Sequence, residues 1–410
     1  MNSQILPITS DVHWIGILDP GLVTFDVVME TKYGTTYNSY YIADTKKTIV
    51  ETAKSRFWDE YEDKIRRLTN PAEIEYIVLN HTEPDHSGSL KNLLTIAPNA
   101  TVLASGTAIR YLNDLVGEPF RHRVVKDGDV ISLGSKTIRF IGAANLHWPD
   151  SIYTWLEPDN ILFTCDSFGA HYCDERMFDD QVGNWDDAFK YYFDVILKPF
   201  SKFMIKAIEK IKPLPIYAIC TGHGPILRKE WKRYVDWSEQ LSKEAIGLPQ
   251  KNMVFVPYVS AYHNTGLLAE KIAEGLKASG DIIPAVNDIE LMPQDVLGNH
   301  VARSNGFIVG SPTINQNILL QIYQFFAHIS PIRDRGKLAG AFGSYGWSGE
   351  AAKIIPANFE MLKLKYFGES LFVKFTPHDT QLQLAFDYGK RFGRKFIEHL
   401  ACTQETDQKE

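Results

Sequence analysis

The stretch LNHTEPDHSGSL, residues 79 to 90, sets His81, Glu83, Asp85 and His86 within six residues, directly after the apolar run IEYIVLN (74–80). The run is rich in β-branched and aromatic side chains and reads as a strand. Four side chains able to ligate a metal therefore stand where a strand gives way to a loop. A sheet fixes such loops while their side chains reach into a shared cleft, so this is where metal sites on a β scaffold are built.

The same placement recurs further along. His147 follows the predicted strand TIRFIGAAN, Asp166 follows ILFTC, and His223 follows IYAICTG. Any one of these could be a hydrogen-bonded turn residue, but seven imidazoles and carboxylates at the same end of successive strands are judged by their joint spacing.

Composition bounds what such a site can serve. At 410 residues the chain is too long for one ordinary core and implies two domains. The hydrophobic fraction of 44% and charged fraction of 23% are those of a globular protein. A net charge of -7 excludes a nucleic-acid or anionic-membrane partner held by bulk electrostatics. No apolar run reaches the roughly 18 residues of a membrane span, and the start MNSQILPITSDVHW lacks a secretion-signal layout, so the expected location is cytoplasmic. Cys165, Cys173, Cys220 and Cys402 include no C-x-x-C pair, so neither a disulfide framework nor a rubredoxin knuckle is encoded. Redox chemistry needs another cofactor.

A break falls near residue 250. Before it, TTYNSYYIAD, TKKTIVETA, AEIEYIVLNH, ATVLASG, KTIRFIGAA, SIYTWLE and NILFTCDS read as strands. A helical stretch, DDAFKYYFDVILKPFSKFMIKAIEKIK, follows, then a strand PIYAICTGHG and the amphipathic KEWKRYVDWSEQLSKEA. GLPQ (247–250) reads as a linker. Beyond it, NMVFVPYVS, GDIIPAV, NGFIVGSP, KLAGAFGSYG and ESLFVKF alternate with helices, which predicts a doubly wound parallel sheet. The expected domains are 1–250 and 251–410.

The ligand series His81, Glu83, Asp85, His86, His147, Asp166 and His223 resembles that of the metallo-β-lactamase fold, an αββα sandwich. Hydrolases of that fold carry His at the position of Glu83 and usually bind zinc. Three carboxylates with four histidines form a harder set that suits iron, and the resemblance sharpens to the flavodiiron proteins. It implies that His81, Glu83 and His147 hold one iron, that Asp85, His86 and His223 hold the other, and that Asp166 bridges them. On an extended loop, i and i+2 side chains point one way while the i+4 and i+5 pair can turn toward a second centre.

The second half resembles a flavodoxin-like FMN domain. VPYVSAYHNTG (256–266) offers Ser260, Tyr262, His263, Asn264 and Thr265 at a helix start and contains no Lys or Arg, so a phosphate there relies on hydroxyls, backbone N–H groups and the helix N-terminus. The loop alone reads equally as a helix cap. VGSPTINQN (309–317), with Pro312, Thr313 and Asn315, and FGSYGWSGEAA (342–352), with Ser344, Tyr345, Gly346, Trp347, Ser348 and Gly349, resemble flavin-ring loops. There small residues admit the polar ring edge and aromatics cover the face.

The resemblance implies four-electron reduction of O2 to water at a non-haem diiron site fed by FMN, with reduction of NO to N2O as a further activity. It implies a separate donor, rubredoxin or an NAD(P)H-dependent reductase, and a head-to-tail homodimer or dimer of dimers that sets one chain's FMN beside the other's irons. SFGAHYCDERMFDD and KYYFD resemble segments near the site, making His171 and Tyr192 candidates to line the gas pocket, while Trp148 reads as packing. Two other readings stay open: a zinc hydrolase with an appended flavodoxin, and an electron-transfer flavoprotein whose metal is structural.

Overall fold

The structure is a computed structural model that describes residues 4–25, 29–247 and 252–407, with backbone alone for 403–407. The chain divides into two compact units, Met1–Ala245 and Ile246–Glu410. Residues 248–250 of the expected linker lie outside the described residues. Among the described residues, no helix is long and apolar enough to cross a membrane.

The first unit is an αββα sandwich. One sheet orders Leu6–Pro7, Val12–Trp14, Tyr40–Ile42, Lys47–Val50, Ile74–Val78, Thr101–Ala104 and His122–Val124; the other orders Val130–Ser132, Thr137–Gly142, Ile152–Glu157, Ile161–Cys165 and Ala218–Thr221. Side chains alternate faces along a strand. Ile138, Phe140, Ile161 and Phe163 of the second sheet therefore meet Val12, Trp14, Tyr40 and Val78 of the first in a shared inner core. Ile141 and Leu162, on the opposite face, pack with helix residues such as Met204 and Ile208.

Strand direction places the site. Lys47–Val50, Ile74–Val78 and Thr101–Ala104 run parallel, so their C-terminal ends share an edge. In the second sheet Ile161–Cys165 and Ala218–Thr221 are parallel, and Thr137–Gly142 points the same way because two antiparallel pairings separate it from Ile161–Cys165.

Three local expectations are corrected. TTYNSYYIAD is not one strand: Thr35–Tyr37 and Tyr40–Ile42 belong to different sheets. Between them, buried Asn38 accepts from Trp14 Nε1 at 2.9 Å and donates to the carbonyls of Thr221 and Gly224 at 3.0 Å, which binds the turn to the His223 loop. The stretch 186–212 is not one helix but Asp186–Tyr192, a widened turn Phe193–Leu197, Lys198–Phe200 and Ser201–Ile211. Pro199 has no N–H and clashes with the preceding turn, so a regular helix cannot run through it. Asp85 and His86 lie not on extended chain but on the single helical turn Pro84–Ser87, begun by Pro84 at its first position.

The second unit is a five-stranded sheet ordered Ile283–Asp288, Met253–Tyr258, Gly306–Gly310, Leu338–Tyr345 and Lys365–Lys374, every pair parallel. Its inner strands are buried on both faces, and separate cores form on the two sides, as a doubly wound sheet requires. The helices Asn264–Lys277 and Asp379–Asp407 pack at backbone contact through two glycines. A Cβ on Gly275 would lie 2.0 Å from the Phe386 carbonyl oxygen, and one on Gly389 2.1 Å from that of Ile272. Gly275→Ala is therefore expected to overpack this contact at a cost of about 1–3 kcal/mol. The check is thermal unfolding followed by circular dichroism, where the variant should melt several degrees earlier than the parent chain.

Candidate metal centre and flavin site

All seven predicted ligands converge at the shared strand edge. His81 Nε2 and His147 Nε2 lie 3.3 and 3.1 Å from Glu83 Oε2, and 3.5 and 3.2 Å from Asp166 Oδ2. His223 Nε2 lies 3.0 Å from Asp85 Oδ2, His86 Nε2 3.5 Å from the same oxygen, and the two imidazoles reach Asp166 Oδ1 at 3.5 and 3.0 Å. Asp166 thus turns one oxygen to each trio. Two donors bound about 2.1 Å from one ion stand about 3.0–3.4 Å apart at octahedral or tetrahedral angles, and the imidazole-to-carboxylate spacings within the trios, 3.0–3.5 Å, lie close to that range.

Burial leaves these donors in need of a cation. Asp85 and Asp166 are 4% and 2% exposed, and both Asp85 oxygens and Asp166 Oδ2 accept no hydrogen bond. Burying an uncompensated charge costs several kcal/mol. His147 and Glu83 are the most open of the ligands, at 15% and 12%, so the first trio faces the outside.

His171 and Tyr192 stand beside the second trio. The His171 ring centroid is 4.9 Å from those of His223 and Tyr192, and its Nδ1 is 2.8 Å from Thr35 Oγ1. Both residues line a cavity of about 730 Å3 with Val23, Thr24, Lys32 and Tyr33. Burial and the neighbouring His223 hold the His171 pKa well below its usual value, so the ring is neutral. Trp148 packs edge-on against His81 at 5.1 Å.

In the second unit a cavity of about 160 Å3 opens between the strand ends, lined by Tyr262, Asn264, Pro312, Thr313, Ser344, Tyr345 and Gly346 from the predicted loops, and by Ala261, Ile314 and Phe375. Ser260, His263, Thr265, Asn315, Trp347, Ser348 and Gly349 are not on its wall. Ser260 Oγ accepts from Gly266 N–H at 3.1 Å, and the Thr265 and Ser344 hydroxyls meet at 3.0 Å. His263 and Asn315 hold left-handed turns at φ 62° and 51°. Tyr262 and Trp347 are about four-fifths exposed.

A family model described as ODP family beta lactamase matches residues 35–224, and a flavodoxin model matches 256–389. A type A flavoprotein of Rhodobacter capsulatus is 37% identical over 405 residues, 97% of this chain and 92% of the relative. The chain belongs to the flavodiiron proteins. Flavo-diiron protein FprA2 of Clostridium acetobutylicum is 35% identical, covering 95% of this chain and 99% of its own. The solved rubredoxin oxygen:oxidoreductase from Desulfovibrio gigas matches with a TM-score of 0.67 at 27% identity, covering 97% of this chain and 100% of that one.

FMN and a non-haem iron pair are accordingly the cofactors of this flavodiiron protein, and the two trios sharing Asp166 fit a pair of ions. The supports behind the histidines were not legible in the sequence. His81 Nδ1 donates to Asp150, 3.3 Å away, whose Oδ2 also accepts from the Thr82 amide at 2.8 Å and hydroxyl at 2.7 Å. His223 Nδ1 donates to the Thr36 carbonyl at 2.6 Å. Such partners fix the tautomer that leaves Nε2 free for a metal.

In the metal-free protein, burial lowers the pKa values of His81, His86 and His147, but their carboxylates outweigh it and push each up to about 10. These rings stabilise the metal-free fold fully below about 6.5, a contribution lost as pH rises toward 10. Metal must displace their protons, so apparent affinity should climb with pH over that window. Loading two divalent ions at pH 8 should release about three protons per chain, one from each ring. Calorimetry in buffers of different ionisation enthalpy checks this, and a release near zero would contradict it.

Proposed function

We propose that this flavodiiron protein is an oxygen reductase that carries out O2 + 4 e⁻ + 4 H⁺ → 2 H2O, with 2 NO + 2 e⁻ + 2 H⁺ → N2O + H2O as a secondary activity. The observation that carries the reading is the single buried carboxylate, Asp166, with one oxygen toward each of two ligand trios. In this reading His81, Glu83 and His147 would hold one iron and Asp85, His86 and His223 the other, with Asp166 shared between them. When bound, the iron pair would supply the electrons for reducing a diatomic gas.

The chain's own groups prepare that site. Asp150 and Thr36 orient two of the ligating rings, and Phe25 and Tyr37 wall His223, their rings 5.5 and 6.0 Å from it. Neutral His171 and the Tyr192 phenol, whose pKa burial and Asp166 hold well above its usual value, present a polar face to the adjoining cavity without adding charge. In the second unit Ser260, Asn264 and Thr265 at the helix N-terminus receive the FMN phosphate. Tyr262, Pro312, Thr313, Ser344, Tyr345 and Gly346 flank the flavin, with His263, Asn315, Trp347, Ser348 and Gly349 shaping the loops around it.

Residues 1–250 and 251–410 act as the iron and flavin halves. A separate rubredoxin or NAD(P)H-dependent reductase feeds FMN in a cytoplasmic head-to-tail homodimer or dimer of dimers. The name of the D. gigas relative supports both O2 as substrate and a rubredoxin-class donor. The test is stopped-flow oxidation of the fully reduced protein by O2 and by NO in parallel. Faster reoxidation by O2 is expected, equal rates would remove the preference, and no reoxidation by either gas would remove the reductase claim. Stoichiometric zinc without flavin absorption would instead support a hydrolase.

A further inference from the structure

Of the four ligating histidines, His86 has its distal nitrogen buried and unserved. Its Nε2 faces Asp166 and Asp85, while Nδ1 has no hydrogen-bond partner. Within 4.8 Å of one of its ring nitrogens lies a carboxylate oxygen of Glu51, a residue 1% exposed that the proposed function does not use. Its amide donates to the Val78 carbonyl, and its carbonyl accepts from Ser39 at 2.8 Å and Tyr61 at 3.3 Å. Its Oε1 accepts from the amide of Asn80, next to His81, at 2.9 Å. Only Oε2 remains, also buried and without a partner.

One ring nitrogen of His86, one carboxylate oxygen of Glu51 and the Cys165 sulfur lie within 4.8 Å of one another. This trio is not a separate metal set. His86 already turns Nε2 to the diiron ligands, and burial keeps the Cys165 thiol protonated by pushing its pKa well above the usual range. What remains is a buried ring nitrogen on His86 and a buried carboxylate oxygen on neighbouring Glu51, neither with a hydrogen-bond partner. The backbone of Glu51 is also held in the left-handed region, φ 59°, a conformation that persists only where the surroundings enforce it. Neighbouring Thr52 donates through both its amide and its hydroxyl to the His86 carbonyl at 2.7 Å, so the same turn grips His86 from its backbone side.

We propose that Glu51 is the positioning residue of His86, its free carboxylate oxygen accepting a hydrogen bond from Nδ1–H when the site is loaded, so that Nε2 stays aimed at the second iron. Each iron then has one histidine backed by a carboxylate: Asp150 behind His81 and Glu51 behind His86. A carboxylate behind an imidazole makes it a stronger donor, which favours the ferric state and tightens binding. The inference rests on His86 being an iron ligand.

The test compares the wild-type protein with Glu51→Gln and, should that variant fail to fold, Glu51→Asp, whose carboxylate is one carbon too short to serve both Asn80 and His86. The readouts are chelator-driven iron release, a redox titration followed by electron paramagnetic resonance, and thermal unfolding. The expected result is a variant that keeps FMN and fold, loses one of its two irons with roughly 10–100-fold weaker affinity, and shows a higher iron potential. Unchanged release and potential would overturn the proposal, as would loss of both irons in step with a fall in thermal stability. A wild-type chain holding fewer than two irons would overturn the ligand assignment itself, and this inference with it, so the two failures are told apart in the parent protein.

Discussion

A carboxylate buried among four imidazoles, with one oxygen free of hydrogen bonds, dictates much of what surrounds it. Asp166 can be ionised there only because positive charge is always at hand: protonated histidines in the metal-free chain, metal ions once it is loaded. Losing one partner of a buried charge cluster costs roughly 3–5 kcal/mol, so the fold and the metal site are coupled at this residue.

The scaffold answers that constraint in its backbone. Parallel strands bring the Asp166 and His223 loops out at one edge, and tight turns keep them close: Cys165 and Phe168, on either side of Asp166, have φ of 50° and 67°. Gly222 is needed for clearance, since a Cβ there would stand 2.7 Å from the His86 ring. Asn38 stitches the strand break at Thr35–Tyr40 to the same loop, and the Thr36 carbonyl meets His223. Several backbone irregularities of the first unit thus stand beside the ligands.

How much of this was legible in the sequence follows from the range of each interaction. His81, Glu83, Asp85 and His86 are close in sequence, and strand ends mark His147, Asp166 and His223, so the seven could be read together. The helical turn carrying Asp85 and His86 was hidden because four residues give no period to detect. The supports were hidden for a different reason. Asp150 and Thr36 reach their histidines across 69 and 187 positions, and nothing near them in sequence differs from a capped turn or an ordinary strand end. In the second unit the alternation of strand and helix revealed the sheet. Which loop residues line the cavity depends on side-chain direction, so Ala261, Ile314 and Phe375 went unread while Trp347 stands in solvent.

The most direct measurement is low-temperature Mössbauer spectroscopy of the protein loaded with 57Fe, with Asp166→Ala as its partner sample. Two irons per chain in an exchange-coupled pair are expected in the parent protein, with the coupling lost in the variant. Uncoupled mononuclear iron in the parent, or a coupled pair surviving without Asp166, would contradict the bridging carboxylate.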